Sequence, residues 1–513
     1  MARTTVRERL PFSPRPNRAR EIRWHPWGRE AFRTAQREGK PVLLALTTWW
    51  CDECHRMDET TYSDPQVIDR VNTGYVAVRV DADRRPDVFD RYTLGGWPTT
   101  ALLASTGELL TSGGFIPPAE MAALLDRVSL WYQDNQADLR WEIANMEIRR
   151  QQSLLCVGEP AGQPNPELLE RVARYVRGLH DPLYGGFGDQ PKFPHSEAVR
   201  LALELSTRPD GEGWKEIAVR SLDALASRLS DPAEGGFFHS ADRRDWTDVH
   251  TEKLLDVNAD LLRLYLEAYE ATRNPVYRDV AERTLAYMGS TLRNPDTPTF
   301  GGSQAADPGY YELDADARRK AQPPPVDRTV FAEGNAKAAI AYLLAFETLG
   351  DPAHLRTGAE VLGFLWREMT DPTDGVFRYR DGRAEGPHLL RDQVWVAIAL
   401  SKGYDVVGDV SMLEQATTLA EVILRDYQGV PGGFCDIRAE RDALAALTNR
   451  QWNLVENAQL ALLMDALSEF GADGRYREAQ RSALQIFAED YSRFGALAAS
   501  YARALSAYLR GKS

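Results

Sequence analysis

Between residues 41 and 112 short apolar runs alternate with helical segments, and from about residue 118 the alternation stops and a helical period takes over. The run 41–47, P-V-L-L-A-L-T, is continuously apolar, as a strand covered on both faces is. Residues 75–80 alternate and are β-branched, 98–104 read as a third strand, and 105–107 turn into a fourth at 108–112. Helices are predicted between them. In 26–39, Trp27, Ala31, Phe32 and Ala35 recur at helical spacing and Gly39 ends the run. Residues 51–60 open with two cysteines, 64–71 start on an Asp64 N-cap with Pro65 behind it, and 85–92 form a short helix. Strands separated by helices predict a central sheet with helical cover.

The second pattern is longer. One or two helices fill 119–151, and 156–166 is a Gly/Pro-rich break. Twelve helical segments follow, near 166–179, 196–206, 214–229, 251–272, 276–293, 332–349, 353–369, 389–406, 411–427, 453–470, 474–490 and 493–509. The loops between them repeat. D-P-L-Y-G-G-F at 181–187 returns as D-P-A-E-G-G-F at 231–237 and D-P-T-D-G-V-F at 371–377, with shorter echoes at 300–302 and 431–434. Asp-Pro stops a helix, two glycines allow positive φ, and Phe anchors the loop on a core. A second echo leads the apolar helices: Asn258-Ala259, Asn335-Ala336 and Asn457-Ala458, with Asp392-Gln393 in the same phase. Repeats built only of helix pairs stack. Six hairpins is the number at which an α/α toroid closes, its funnel lined by the first helix of each hairpin and the Gly-Gly-Phe loops. The expected organisation is a flexible arm over 1–21, an α/β domain over 22–130, a helical linker over 131–165, and an all-α (α/α)6 toroid over 166–511.

Charge and composition narrow the function. With 61 Lys+Arg against 75 Asp+Glu the net charge is −14, which argues against a nucleic-acid partner. Four cysteines cannot make a disulfide scaffold. No apolar run reaches the ~20 residues of a membrane span, and the Arg/Pro-rich opening has no apolar h-region. A cytoplasmic protein is expected. Phosphate-binding Gly loops, H-E-x-x-H and G-x-S-x-G are missing from the sequence.

Cys51-Asp52-Glu53-Cys54 follows a buried strand and opens a helix. Such a spacing serves zinc, haem or redox chemistry. Zinc needs two further ligands, and Cys156 and Cys435 are isolated; haem attachment, spelled C-x-x-C-H here with His55, needs an export route. Redox use fits the context. A cysteine at a helix N-terminus has its thiolate stabilised by unpaired N–H groups, and Cys54 one turn on resolves a mixed disulfide. Pro98, in G-W-P-T at the start of a later strand, would present a backbone edge beside the dithiol through a cis peptide. The alternative is a degenerate site that only folds. No cofactor and no metal are expected.

The order strand, W-C-x-x-C helix, strand, helix, G-x-P-T strand resembles a thioredoxin domain. C-D-E-C-H-R-M at 51–57, Val80-Asp81, Arg85-Pro86-Asp87 and Gly95-Gly96-Trp97-Pro98 are similar to the spermatogenesis-associated thioredoxin-like family. Further matching text is G-G-F-G at 185–188, P-K-F-P at 191–194 and H-x-E-K-L-L at 250–255 with Asn258-Ala259. The resemblance implies a thioredoxin domain fused to a six-hairpin toroid similar to N-acylglucosamine 2-epimerases and six-hairpin glycosidases.

In the ring, Glu252 and Asp256 are one turn apart, with His250 at the helix entrance. Acid–base work on a sugar needs two titratable groups flanking the substrate, so His250, Glu252 and Asp256 are the catalytic candidates. His195, His239, Asp327, His388, Asp392 and Glu456 are candidate sugar contacts, and Trp246 and Trp452 candidate stacking platforms. Asn258, Asn335 and Asn457 join them, with hydrogen bonding between neighbouring helices as their alternative role. Two functions follow: a ring that binds or transforms a carbohydrate, or a ring that only docks a partner while the dithiol carries any chemistry. The expected partners are a sugar and a disulfide-containing protein, with no nucleic acid and no membrane.

Overall fold

The computed structural model describes residues 10–93, 95–135, 138, 162–440, 443–470 and 474–511. The chain divides into two compact units. The first comprises residues 1–157 together with 439–450, and the second residues 158–438 and 451–513.

The first unit follows the predicted order: α1 (Arg29–Glu38), β1 (Val42–Thr47), α2 (Asp52–Glu59), α3 (Pro65–Gly74), β2 (Val76–Asp81), α4 (Pro86–Tyr92), β3 (Thr99–Leu103), β4 (Leu109–Gly113) and α5 (Pro118–Asp134). The strand order is β2-β1-β3-β4. β1 runs parallel to β2 and antiparallel to β3, and β3 antiparallel to β4. Every residue of β1 and β3 is buried, because helices cover both faces. Asp64 caps α3 as predicted, accepting from Gln66 and Val67 N–H.

Two features differ from the sequence reading. The expected arm is packed from residue 10 onward. Ser13 N–H donates to Asp58 Oδ2 at 2.9 Å, and Phe12 and Trp24 flank the Arg79 guanidinium. Arg79 and Asp58 form a bidentate pair (2.8 and 2.7 Å) with each side chain only 1% exposed. A buried charge keeps its charge only when paired and hydrogen-bonded, and Pro11 O takes a further Arg79 N–H. The second difference is the segment 443–450, which falls inside the expected 166–511 toroid but belongs to the first unit. Leu444 to Leu447 pack on the sheet face that holds Phe32 and Val88, and Arg91 donates to the carbonyls of Ala446 and Asn449. Most of the expected 131–165 linker lies outside the described residues.

The second unit holds twelve long helices among the described residues: α6 (Pro166–Gly178), α7 (Ser196–Ser206), α8 (Glu212–Arg228), α9 (Leu255–Thr272), α10 (Pro275–Tyr287), α11 (Ala332–Leu349), α12 (Pro352–Met369), α13 (Leu390–Val407), α14 (Val410–Asp426), α15 (Leu454–Ser468), α16 (Gly474–Gln485) and α17 (Ala498–Arg510). The odd-numbered helices pack side by side, α7 on α9, α9 on α11, α11 on α13, α13 on α15, α15 on α17, and α17 returns to α7. The ring therefore closes. The even-numbered helices form an outer layer packed on the inner helices. The hairpin phase shifts by one from the sequence reading, because α6 pairs with α17 across the closure. Among the described residues no helix is long and apolar enough to cross a membrane.

The repeated loops and repeated amides are one device. Asn258 Oδ1 accepts the Phe237 N–H at 2.7 Å, while its Nδ2 donates to Phe237 O and to Leu254 O. Asn335 treats Phe300 and Phe331 O in the same way, Gln393 treats Val376 and Leu389 O, and Asn457 treats Phe434 and Asn453 O. An inner helix thus pins its Gly-Phe loop by both backbone groups of one residue. A Cβ on Gly236 would lie within 3 Å of the Tyr287 ring, and Gly236 has φ 71°. Glycine is required there on both counts.

Candidate functional site

In the first unit, Cys51 is the N-cap of α2 and its Sγ accepts the Cys54 N–H at 3.2 Å. Both cysteines are free thiols and buried. The Trp97–Pro98 peptide is cis. Trp97 stacks on Phe89 at 5.0 Å and meets Trp50 edge-on at 5.2 Å, while Trp50 donates to Asp83. The two carboxylates beside Cys51 are neutralised, Asp52 by Arg15 at 2.9 Å and Glu53 by Arg56 at 2.5 Å. His55 is bonded to Trp49 O, and burial, with Arg15 nearby, lowers its pKa. The site has the parts of a dithiol exchange centre: a thiol at a helix start, a second one turn on, and an aromatic wall.

In the second unit the inner helices carry a belt of ion pairs instead of an aliphatic plug. Arg503 reaches Glu197 and Glu204, and Arg200 pairs with Glu197 (2.7 Å) and Glu267 (2.6 Å). Arg263 pairs with Glu267. Lys337 bridges Asp260 at 3.1 Å and Glu333 at 3.2 Å. Arg378 joins Glu333 to Asp392, and Arg391 holds Glu456 at 2.8 Å. All six inner helices contribute. Asp260, Arg263 and Glu267 keep 26, 22 and 28% of their side-chain surface open.

The electrostatics follow from crowding of both signs. Burial works against the charge on Lys337, but Asp260 and Glu333 outweigh it and hold the ammonium well above the usual lysine range. Burial likewise opposes Glu333, yet Lys337 and Arg378 bring it down to about 2. Asp392 goes the other way. Burial outweighs Arg378 and pushes it up to about 6.

Beside the belt the loops gather three histidines. His239 Nδ1 lies 3.0 Å from Glu252 Oε1, which orients the ring. His250 Nε2 is 2.7 Å from Asp242, with its Nδ1 3.9 Å from Glu252. His195, the residue before α7, has φ 41° and no side-chain hydrogen bond among the described residues. Burial, reinforced by Lys192, lowers its pKa to about 4, so the imidazole is neutral at neutral pH. Phe193 stands edge-on to both His195 (6.2 Å) and His239 (5.7 Å).

The structure therefore brings His195, His239, His250 and Glu252 together, and puts Asp256, Asp392 and Glu456 in the first turns of inner helices. Asp256 makes no hydrogen bond or ion pair among the described residues. Other candidates are committed to the wall. Both amide hydrogens of Asn258, Asn335 and Asn457 are used in the loop clamp, leaving none for a ligand. Trp246 is buried and donates to Tyr184 O, and Trp452 donates to Gly432 O. His388 is bonded to Val376 O, and Asp327 accepts Thr329 N–H. The belt residues Glu197, Arg200, Glu204, Asp260, Arg263, Glu267, Glu333 and Lys337 were not singled out from sequence. Their signal was present: charges spaced three and four apart on helices otherwise rich in apolar residues.

Fold and site define the class: a thioredoxin-like domain joined in one chain to a helical ring of the (α/α)6 toroid type. Residues 12–151 match the thioredoxin DsbH family model, described as "Protein of unknown function, DUF255". The chain is similar to spermatogenesis-associated protein 20. It is 26% identical to the human protein over 336 residues, 60% of this chain and 43% of that protein, and 27% identical to the mouse protein over 340 residues, 60% and 42% respectively. It thus spans less than half the length of the curated relatives it matches. Among solved structures it is similar to the cellobiose 2-epimerase of Spirochaeta thermophila (TM-score 0.53, 13% identity, 67% of this chain and 97% of that chain). It is also similar to a family 76 glycoside hydrolase (mannosidase) from Bacteroides thetaiotaomicron (TM-score 0.51, 10% identity, 68% and 99%). At such identities the likeness establishes the fold alone.

Proposed function

We propose that the ring binds a reducing saccharide and moves a proton at the carbon beside its carbonyl, as an epimerase does. The observation that carries this is the pair of imidazoles about Phe193, one with no side-chain hydrogen bond among the described residues (His195) and one oriented by a carboxylate (His239 with Glu252). The neutral imidazole of His195 takes the C2 proton from the open-chain sugar and becomes an imidazolium; His239, acting as the imidazolium beside Glu252, gives a proton to the opposite face and ends neutral. The electron pair left at C2 is held by the C1 oxygen until then. Imidazoles suit this task at neutral pH, whereas glycoside hydrolysis uses a carboxyl pair. The similarity to solved sugar epimerases supports the reading at the level of fold. The test is proton NMR of glucose, mannose, N-acetylglucosamine and cellobiose in deuterated buffer. Deuterium should enter C2 of at least one sugar and fall by about a hundredfold or more in His239→Ala. A ring that binds none of them and exchanges none is a docking module.

For the first unit we propose thiol–disulfide exchange, carried by the Cys51 Sγ at the start of α2. Its thiolate attacks a partner disulfide, one partner thiolate leaves, and Cys54 then displaces the second. The dithiol loses two electrons to the partner and ends as a Cys51–Cys54 disulfide. With dithiothreitol as the reductant, insulin reduction should disappear in Cys51→Ser. Equal rates in the variant and the parent would refute it.

A further inference from the structure

We propose that Arg15, on the segment packed across α2, is a positioning residue of the dithiol: it holds and neutralises Asp52 so that the Cys51 thiolate can form beside it. The proposal rests on the thiol–disulfide exchange reading above and adds the group that sets the nucleophile's reactivity.

Asp52 is the first residue of α2 and directly follows the N-capping Cys51. A helix start favours a thiolate through its unpaired N–H groups, but a carboxylate at that position repels the same charge. Arg15 is the one side-chain partner of Asp52 among the described residues. Its Nη2 donates to Asp52 Oδ1 at 2.9 Å, and its Nε donates to Glu59 Oε1 on the last residue of the same helix. The guanidinium is fixed in place because its chain neighbours are tied there too. Ser13 Oγ donates to Glu59 Oε1 at 2.7 Å, Ser13 N–H donates to Asp58 Oδ2, and Arg18 N–H donates to Ser63 Oγ at 2.6 Å. The charge of Arg15 is felt beyond the pair, since it adds to burial in lowering the pKa of His55, the residue after Cys54.

The other charges on α2 and on the segment after β2 have partners of their own. Glu53 pairs with Arg56, Asp58 with Arg79, Asp81 with Arg84 and Asp87 with Arg85. Asp83 accepts the Trp50 N–H, and burial keeps the Tyr62 hydroxyl protonated. Loss of Arg15 therefore leaves a single uncompensated carboxylate, and it is the one adjoining Cys51.

Iodoacetamide alkylation of Cys51, followed by mass spectrometry in the full chain carrying Cys54→Ser, tests this. It reads the thiolate without any partner disulfide, so it answers independently of insulin reduction. Arg15 and Asp52 keep 47 and 35% of their side chains exposed, so water screens the pair and the effect is modest. At neutral pH and low salt Arg15→Gln should slow alkylation about threefold and move the midpoint of its pH profile up; Arg15→Lys should restore most of the rate. The midpoint, unlike the rate, does not respond to a change in access to the thiol. Asp52→Asn should speed alkylation, and with Asp52→Asn in place Arg15→Gln should change the rate by less than about 1.5-fold. An unmoved midpoint in Arg15→Gln, or the same slowing with and without Asp52→Asn, overturns the assignment and leaves the exchange reading standing. Insulin reduction that survives Cys51→Ser removes the exchange reading and the assignment with it.

Discussion

Replacing Asn258 by Ala tests the device that holds the ring wall. The amide satisfies the N–H and the C=O of Phe237, both fully buried, at 2.7 and 3.0 Å. Alanine leaves those two backbone groups without partners, and each orphaned buried group costs about 1–3 kcal/mol. The void left by the missing amide adds about 1 kcal/mol. The expected loss is about 3–5 kcal/mol, a large share of what holds a domain together. Asn335→Ala and Asn457→Ala should lose similar amounts, since their bonds repeat the same geometry. Asn258→Asp should be no better than Ala, because it keeps the acceptor but replaces the amide that donates to Phe237 O and Leu254 O with a carboxylate oxygen that repels both. Urea unfolding followed by circular dichroism gives the midpoint shift, and amide hydrogen exchange over residues 229–240 shows where protection is lost. A shift worth less than about 1 kcal/mol, with the Phe237 amide still protected, would refute the reasoning.

The belt makes two further predictions. Lys337→Met leaves Asp260 and Glu333 without their shared cation and should destabilise the ring by about 3–5 kcal/mol in the same unfolding assay; a neutral effect would mean the carboxylates are not held by it. Asp392 has a pKa raised to about 6 in the fold. The folded state thus holds a proton that the unfolded chain, near 3.9, has lost. Its contribution is full below the unfolded value and disappears as pH rises through about 6, so lowering the pH from 7 to about 5 should stabilise the ring by about 1.3 kcal/mol, on the way to a limit of about 3 kcal/mol below the unfolded value. Below that window Glu333, which is lowered to about 2 by Lys337 and Arg378 against burial, begins to lose its own contribution. Thermal melts across this range should rise and then fall in the parent, and the rise should flatten in Asp392→Asn.

Much of this architecture was legible in the sequence because it is repeated. Asp-Pro, Gly-Gly and Phe mark each loop for reasons of local backbone chemistry, and the helix ranges follow within a few residues, as at 196–206 and 332–349. The dithiol was legible for a similar reason, since Cys51 and Cys54 lie within one turn. The belt was harder. Arg200, Asp260 and Lys337 have the spacing of a solvated outer face, and only ring closure turns that face inward. Trp246 shows the opposite case: a large aromatic that suits a sugar platform is used to cover Gly186 and Lys192. The packed residues from 10 onward were read as an arm because the partner of Phe12, the buried Arg79, is far away in sequence.

The most direct measurement is a crystal structure of the full chain soaked with a reducing sugar. Its C2 should lie within about 3.5 Å of an imidazole nitrogen of His195 or His239, with the hydroxyls reaching inner-helix side chains. Sugar density confined to the outer helices, or a hollow that stays occupied by water alone at saturating sugar, would contradict the account.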